Sequence, residues 1–382
     1  MKNARYFIWS LLAIVALGSC DDLNPDEIPE NASAEVRLNA LVEKLDSEVP
    51  TWEKLYELAE HVERGEPAQY ATQWVQFWGD APDDLKANID IWNHYMSDGD
   101  ATVSAANSYK IGLEYGAVPN GADYPIYNLD VLDKKLRFIG TILLHEKAKG
   151  RRTLFQHHYP DGAVDLGFPN EGEFKEYIKE IFGVEKAKEA TMAENMQVEY
   201  YLPFPEPIES YIERQGFTNA WPKEKKVELA QFVLDEIRDR LGNIFTGILV
   251  APSHAEYESS SDIWHKLDFS EYDEIHFSLV PKCESGVSPE GYLEDQFANI
   301  TEVLAKHPNM RWGVSQLALY QPVMSGCESG DFAAYQQGVL NDIFEQLNEL
   351  EKTYPSHVFS GVFADFLQGG NTTDVKAYWD KK

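Results

Sequence analysis

The feature that most constrains this chain is a rhythm of short apolar runs alternating with longer amphipathic stretches, beginning near residue 70. The runs are Ala71–Phe77, Tyr109–Ala117, Arg152–His157, Val198–Pro203, Phe245–Ala251, Glu274–Val280, Arg311–Leu319 and Val358–Phe366. Each has strand length and turn residues at its borders. Between them lie Asp84–Met96, Val131–Lys149, Glu173–Met196, Lys223–Leu241, Asp262–Leu267, Gly291–Lys306 and Phe332–Tyr354, which read as helical. In the clearest of these, Val227, Ala230, Leu234, Ile237 and Leu241 form one stripe, and Gly242 follows as a C-cap. Strands and helices in strict alternation predict an α/β protein of the (β/α)8 TIM-barrel type. An open doubly wound sheet is the second possibility, but no Gly-x-Gly-x-x-Gly follows any strand to hold a dinucleotide. Upstream, Val36, Leu38, Leu41, Val42 and Leu45, then Trp52, Leu55, Leu58 and Val62, recur at helical spacing. The expected organisation is an N-terminal helical segment over 33–67 and one barrel domain over 68–382.

The first 32 residues carry an address. Lys2 and Arg5 precede the apolar run Tyr6–Leu17, which ends in Leu17-Gly18-Ser19-Cys20. A basic start, a short apolar stretch and small residues before a cut form a secretory signal, here residues 1–19. The run falls short of the ~20 apolar residues that a lasting transmembrane helix needs. Its ending resembles a bacterial lipobox, which implies lipidation of Cys20 and a bacterial, lipid-anchored protein of the cell envelope, on the surface or a periplasmic face. Residues 20–32, with Asp21, Asp22, Asp26, Glu27 and Glu30 among prolines, read as a solvated tether. With Cys20 assigned to lipid, Cys283 and Cys327 remain, an even pair that in an exported chain reads as a disulfide. Two reduced thiols are the alternative.

The charge balance narrows the partners. Against 33 Lys and Arg stand 64 Asp and Glu, a net charge of −31 in 382 residues. Such a surface repels phosphate backbones and anionic headgroups, which argues against nucleic acid and leaves acylated Cys20 as the one link to a bilayer. A monomer is expected, with no cofactor and no metal. The pair His157-His158 sits on a strand, where neighbours point to opposite faces and cannot both meet one ion. One of them is expected to line a pocket and the other to pack beneath a helix.

In a barrel the chemistry gathers at the carboxyl ends of the strands. Those ends here read Gln76-Phe77-Trp78, Glu114-Tyr115, Gln156-His157-His158-Tyr159, Phe204-Pro205-Glu206-Pro207, Pro252-Ser253-His254 and Ala364-Asp365-Phe366. Aromatic rings beside carboxylates, amides and histidines suit a sugar, rings covering its apolar face while polar groups take its hydroxyls. There is no phosphate-cradling glycine loop, no His-Glu-x-x-His and no Gly-x-Ser-x-Gly, so phosphoryl transfer, zincin and α/β-hydrolase chemistry lack support.

The stretch Ala193-Glu194-Asn195-Met196-Gln197-Val198-Glu199-Tyr200 through Glu206-Pro207 resembles strand four of the clan A glycoside hydrolases, where a helix feeds a strand that ends in a catalytic glutamate. Phe245–Val250, Leu267–His276 and Arg311–Tyr320 follow in that clan's order for strands five, six and seven. The resemblance covers about residues 150–370 and implies hydrolysis of a carbohydrate polymer or oligosaccharide, with Glu206 as general acid/base. Apolar Phe204 and the flanking prolines would raise its pKa. Trp78, Tyr159 and Trp264 are candidate stacking platforms, and His157, His254, Gln316 and Asp365 candidate sugar contacts.

Two positions depart from the clan's pattern. Pro205 precedes Glu206 where Asn is usual, and the strand-seven slot for the nucleophilic glutamate reads Ser315-Gln316-Leu317. An amide cannot form the glycosyl ester of a retaining enzyme, whose two carboxyls stand about 5–5.5 Å apart. Three readings stay open: another acid (Glu328, Glu114 or Asp365) as second carboxylate, a substrate-assisted mechanism, or a barrel that binds glycan without cutting it.

Overall fold

The structure is a computed structural model that describes residues 50–62, 73–77, 110–116, 152–158, 168–198, 200–203, 212, 215–242, 247–250, 263–279, 289–317 and 332–354, with positions 32 and 36 and scattered positions between 133 and 147. The expected signal, tether, helix Asp84–Met96 and eighth strand Val358–Phe366 lie outside them.

Seven strands are described: β1 Gln73–Phe77, β2 Lys110–Gly116, β3 Arg152–His158, β4 Tyr200–Leu202, β5 Gly247–Val250, β6 Glu274–Leu279 and β7 Arg311–Leu317. They fall on the first seven apolar runs. All their pairings are parallel and follow chain order, β1-β2-β3-β4 in one sheet and β5-β6-β7 in another. Strands β4 and β5 approach one another without ladder hydrogen bonds, and the described strands do not close into a ring. Parallel neighbours require long crossovers, which is why helices separate these strands.

The helices are α1 Trp52–Ala59, α2 Glu171–Tyr177, α3 Gly183–Asn195, α4 Lys223–Leu241, α5 Pro289–Lys306 and α6 Phe332–Thr353, with further helical residues between 133 and 147. Thr51 caps α1 by accepting from the Lys54 amide at 3.3 Å, and Asn170 caps α2 by accepting from the Glu173 amide at 3.1 Å. Helix α4 stops at Gly242, whose φ of 65° suits a residue without a Cβ. The amphipathic stretch 173–196 is two helices joined by a π-helical turn, Ile178–Phe182. Gly183 follows that turn because a Cβ there would come within 3.2 Å of both the Ile178 carbonyl and Arg240 Cγ. The expected helix Asp262–Leu267 is reduced to one 3-10 turn, Trp264–Lys266. Six residues, followed at once by Asp268 whose side chain accepts from the Ser270 amide, are too few for stable α-helix.

Helix α3 passes to β4 through a Schellman turn. The Val198 amide donates to the Ala193 carbonyl at 2.9 Å and that of Gln197 to Glu194 at 3.0 Å. Gln197 takes the left-handed φ of 54°, and its side-chain oxygen accepts from buried Lys147 Nζ at 2.6 Å.

One hydrophobic cluster joins the two halves of the chain, from Leu55 and Leu58 through Phe155, Tyr201 and Ile237 to Ile275, Trp312 and Leu347. A polar group lies inside it. Glu185, Lys186, Glu189 and Tyr201 are fully buried. Lys186 Nζ donates to Glu189 Oε2 at 3.0 Å and reaches Glu185 Oε1 at 3.4 Å, and the Tyr201 hydroxyl donates to Glu189 Oε2 at 2.7 Å. Two carboxylates face one ammonium. Burial, opposed by Lys186 and reinforced by Glu189, pushes Glu185 well above its ordinary 4.5. Burial and then Glu189 likewise hold the Tyr201 hydroxyl protonated.

The sign of the pH effect follows. Above pH 4.5 the unfolded chain releases the Glu185 proton while the folded chain keeps it, so this residue's contribution to stability declines as pH rises. Glu185→Gln should therefore flatten the decline in urea midpoint between about pH 5 and 8 relative to the parent chain. Equal slopes for the two proteins would sink this account.

Candidate functional site

Which face each strand residue occupies is set by register. Tyr201 on β4 reaches Glu189 of α3, and its ring stacks on Phe155 of β3 at 5.5 Å with 7° between planes. Phe155 and Tyr201 thus mark the helix side of the first sheet, and Leu202, the next residue along β4, belongs to the opposite, inner face. Leu202 is also fully buried. Both faces are covered, as a parallel sheet demands. The candidate His157 pairs in register with Tyr115, which pairs with Phe77. Glu114, one of the three acids considered for a second carboxylate, pairs in register with Gln76 and Gln156.

In the second sheet, Phe277 packs against Trp264 at 6.2 Å and against Trp312 at 6.3 Å between ring centroids. Lys306 of α5 donates to the His265 carbonyl at 2.6 Å, which locks the Trp264 turn beneath that helix. Ile275, Phe277 and Trp312 therefore mark the helix side of this sheet, and Glu274 and His276 lie on its inner face. Trp264 corrects the sequence reading. It is 0% exposed and has no free ring face, so its work is in the core and it offers no platform to a sugar.

Gln316 is placed by a defect in the ladder. Phe277 pairs with Val314, but Ser278 pairs with Gln316, so Ser315 is an extra residue in β7. Position 316 therefore takes the register of Ser278 in the ladder. Such irregularities concentrate beside active sites.

Sequence reasoning missed a buried ionic group on that inner face. Glu274 and His276 are both 0% exposed, and His276 Nε2 lies 2.8 Å from Glu274 Oε1. Arg311 Nη2 approaches Glu274 Oε2 at 3.2 Å. One carboxylate thus serves two basic groups, with Gly313 level with His276 in the ladder and bringing no side chain of its own. The signal was present as Glu274-Ile275-His276-Phe277, polar and apolar in alternation. It was overlooked because the run was read as uniformly apolar. Glu274 and Arg311 open their strands, at the end opposite the expected chemistry, which suits a role in stability.

The remaining candidates, Trp78, Tyr159, Glu206, His254 and Asp365, lie outside the described residues, as do Glu328, Cys20, Cys283 and Cys327. Among the described residues no group of three His, Cys, Asp or Glu side chains could hold a metal ion.

The sequence matches no protein-family model and no curated protein. Solved structures do resemble the fold. An exo-beta-1,4-mannosidase from an Opitutaceae bacterium is similar at a TM-score of 0.46 and 10% identity over 78% of this chain. A GH18 chitinase from Pseudoalteromonas aurantia gives 0.43 and 12%, covering 74% of this chain and 95% of its own. The GH53 catalytic domain of Ignisphaera aggregans gives 0.41 and 17%, covering 79% and 84%. This chain spans about half of the mannosidase's length, 52%.

Replacing Glu274 by Ala strands a buried imidazole and an arginine without their carboxylate. Losing one member of a buried ion pair costs ~3–5 kcal/mol, and the lower end applies because Arg311 is 35% exposed. Urea denaturation of Glu274→Ala should show that loss; a change below about 1 kcal/mol would mean that the group is not a unit.

Proposed function

We propose that the chain is an exported lipoprotein that acts on a carbohydrate polymer through a (β/α)8 barrel, with Val358–Phe366 as the eighth strand and Glu206 as general acid/base. The observation that carries this reading is the β6–β7 ladder, whose register shifts within the strand that holds Gln316, the residue in the nucleophile slot of the resembled clan. Irregularities of this kind concentrate next to active sites. The parallel strands, in chain order within each of the two sheets, support the same architecture. Glu206 follows β4 by four residues, so it belongs to the loop that such a barrel places at its mouth.

In this reading Glu206, raised by its apolar and proline neighbours, protonates the departing glycosidic oxygen, and Gln316 donates an amide hydrogen bond to the sugar. The second carboxylate is Glu328, Glu114 or Asp365, and Glu114 lies on β2 in register with Gln76 and Gln156. Tyr159 and Trp78 supply stacking rings, and His254 and Asp365 hold hydroxyls. Cys20 carries the lipid, and Cys283 and Cys327 staple the loops after β6 and β7.

The alternative is a surface protein that binds glycan without cutting it, and Gln316 favours it because an amide replaces the nucleophilic carboxylate. The two separate in one assay. General acid–base catalysis is worth ~10²–10⁴ in rate. Full-length protein in detergent should release reducing ends from at least one polysaccharide, and Glu206→Gln should lose at least about a hundredfold. No release, with one polymer retarding both proteins in an affinity gel, would establish the binder. Thiol titration of the unfolded, unreduced protein should find neither Cys283 nor Cys327 free, and two reactive thiols would remove the staple.

A further inference from the structure

Away from the strand ends, a cavity of about 300 Å³ opens between α1, the helical residues near 133, α3 and the end of α4. Its volume lies at the lower end of the ~300–1,000 Å³ that ligand pockets span. One wall is aromatic. Trp52 and Tyr56, one turn apart on α1, stack at 5.5 Å with 26° between their planes. The other wall is the outer side of α3, where Val184, Ala187, Lys188 and Thr191 recur at helical spacing.

The charges in this cavity do not cancel. Asp133 has both oxygens engaged, Oδ1 by Trp52 Nε1 at 2.8 Å and Oδ2 by Arg137 Nε at 3.0 Å. Its charge is neutralised by Arg137, which also donates to the Pro50 carbonyl at 3.1 Å. Lys188 and Arg240 also line the space. Arg240 Nη2 donates to the Lys179 carbonyl at 3.3 Å, which leaves other guanidinium donors for a ligand. A positive pocket in a chain of net charge −31 selects for an anion. An aromatic and aliphatic wall selects for an apolar face on the same molecule.

We propose that this cavity is a second binding site, for a sugar unit that carries a carboxylate. The ring's C–H face lies on the Trp52–Tyr56 wall, the carboxylate meets Lys188 and the planar fork of Arg240, and the Thr191 hydroxyl, which donates to the Ala187 carbonyl at 2.9 Å, accepts from a ring hydroxyl. The choice of a sugar rests on the carbohydrate reading above; the choice of an acidic ligand with an apolar face rests on the cavity alone.

The test is calorimetric titration of the full-length protein with galacturonate, galactose and acetate. Galacturonate should bind, and galactose and acetate should each bind at least about tenfold more weakly, galactose because it lacks the charged hydrogen bonds of the carboxylate and acetate because it lacks the ring that covers the aromatic wall. Lys188→Gln, a substitution at a half-buried helix surface, should weaken galacturonate by about the same factor, and Glu206→Gln should leave it unchanged. Equal binding of galactose would overturn the charge argument, and equal binding of acetate the ring argument. No galacturonate binding would overturn the site whatever the polysaccharide assays give. Galacturonate binding with no polymer cut or retained would retain this site while removing the proposed function.

Discussion

A parallel sheet exposes no face to water, and most of this structure follows from that constraint. Each strand must present side chains on two covered sides. On the helix side the demand is met by rings and aliphatic chains: Phe155 on Tyr201, and Phe277 against Trp264 and Trp312. The inner face must also be filled, and there the chain uses Leu202 in one sheet and the Glu274–His276 group in the other. Because every buried polar atom must then find a partner, the two ionic groups are compact: Lys186 between two carboxylates, and Glu274 between His276 and Arg311.

These two groups sit in different layers. Glu185, Lys186, Glu189 and Tyr201 bind α3 to β4, between helix and sheet. That contact, with the Schellman turn at Gln197, fixes where β4 begins and hence where the chain leaves it toward Glu206. Glu274, His276 and Arg311 tie β6 to β7 at their start, so the bulge at Ser315 must be absorbed farther along, where the strands end. A rigid base and an irregular rim is the division of labour that lets a parallel α/β protein vary its chemistry without altering its core.

The strands were legible because each carries a short cluster of apolar residues bordered by turn residues, and the seven described strands fall on the first seven such runs. Lys223–Leu241 was legible because its stripe and Gly242 agree. The helix expected at Asp262–Leu267 was not, since a short apolar segment with Trp264 looks the same whether it forms a helix or a packed turn. The site was less legible than the fold. The carbohydrate reading makes Trp264 a candidate platform, and a sequence cannot tell a buried ring from an offered one.

By itself, the sequence determined the acidic surface, the parallel α/β plan and the order of its elements, since these depend on local composition and spacing. Only the tertiary structure decided the faces. The stacking of Phe155 on Tyr201 marks the helix side of the first sheet, and a register shift between β6 and β7 pairs Gln316 with Ser278. The physical reason is the two-residue period of a strand: a slip of one residue exchanges every face beyond it, and a slip is visible only against the neighbouring strand.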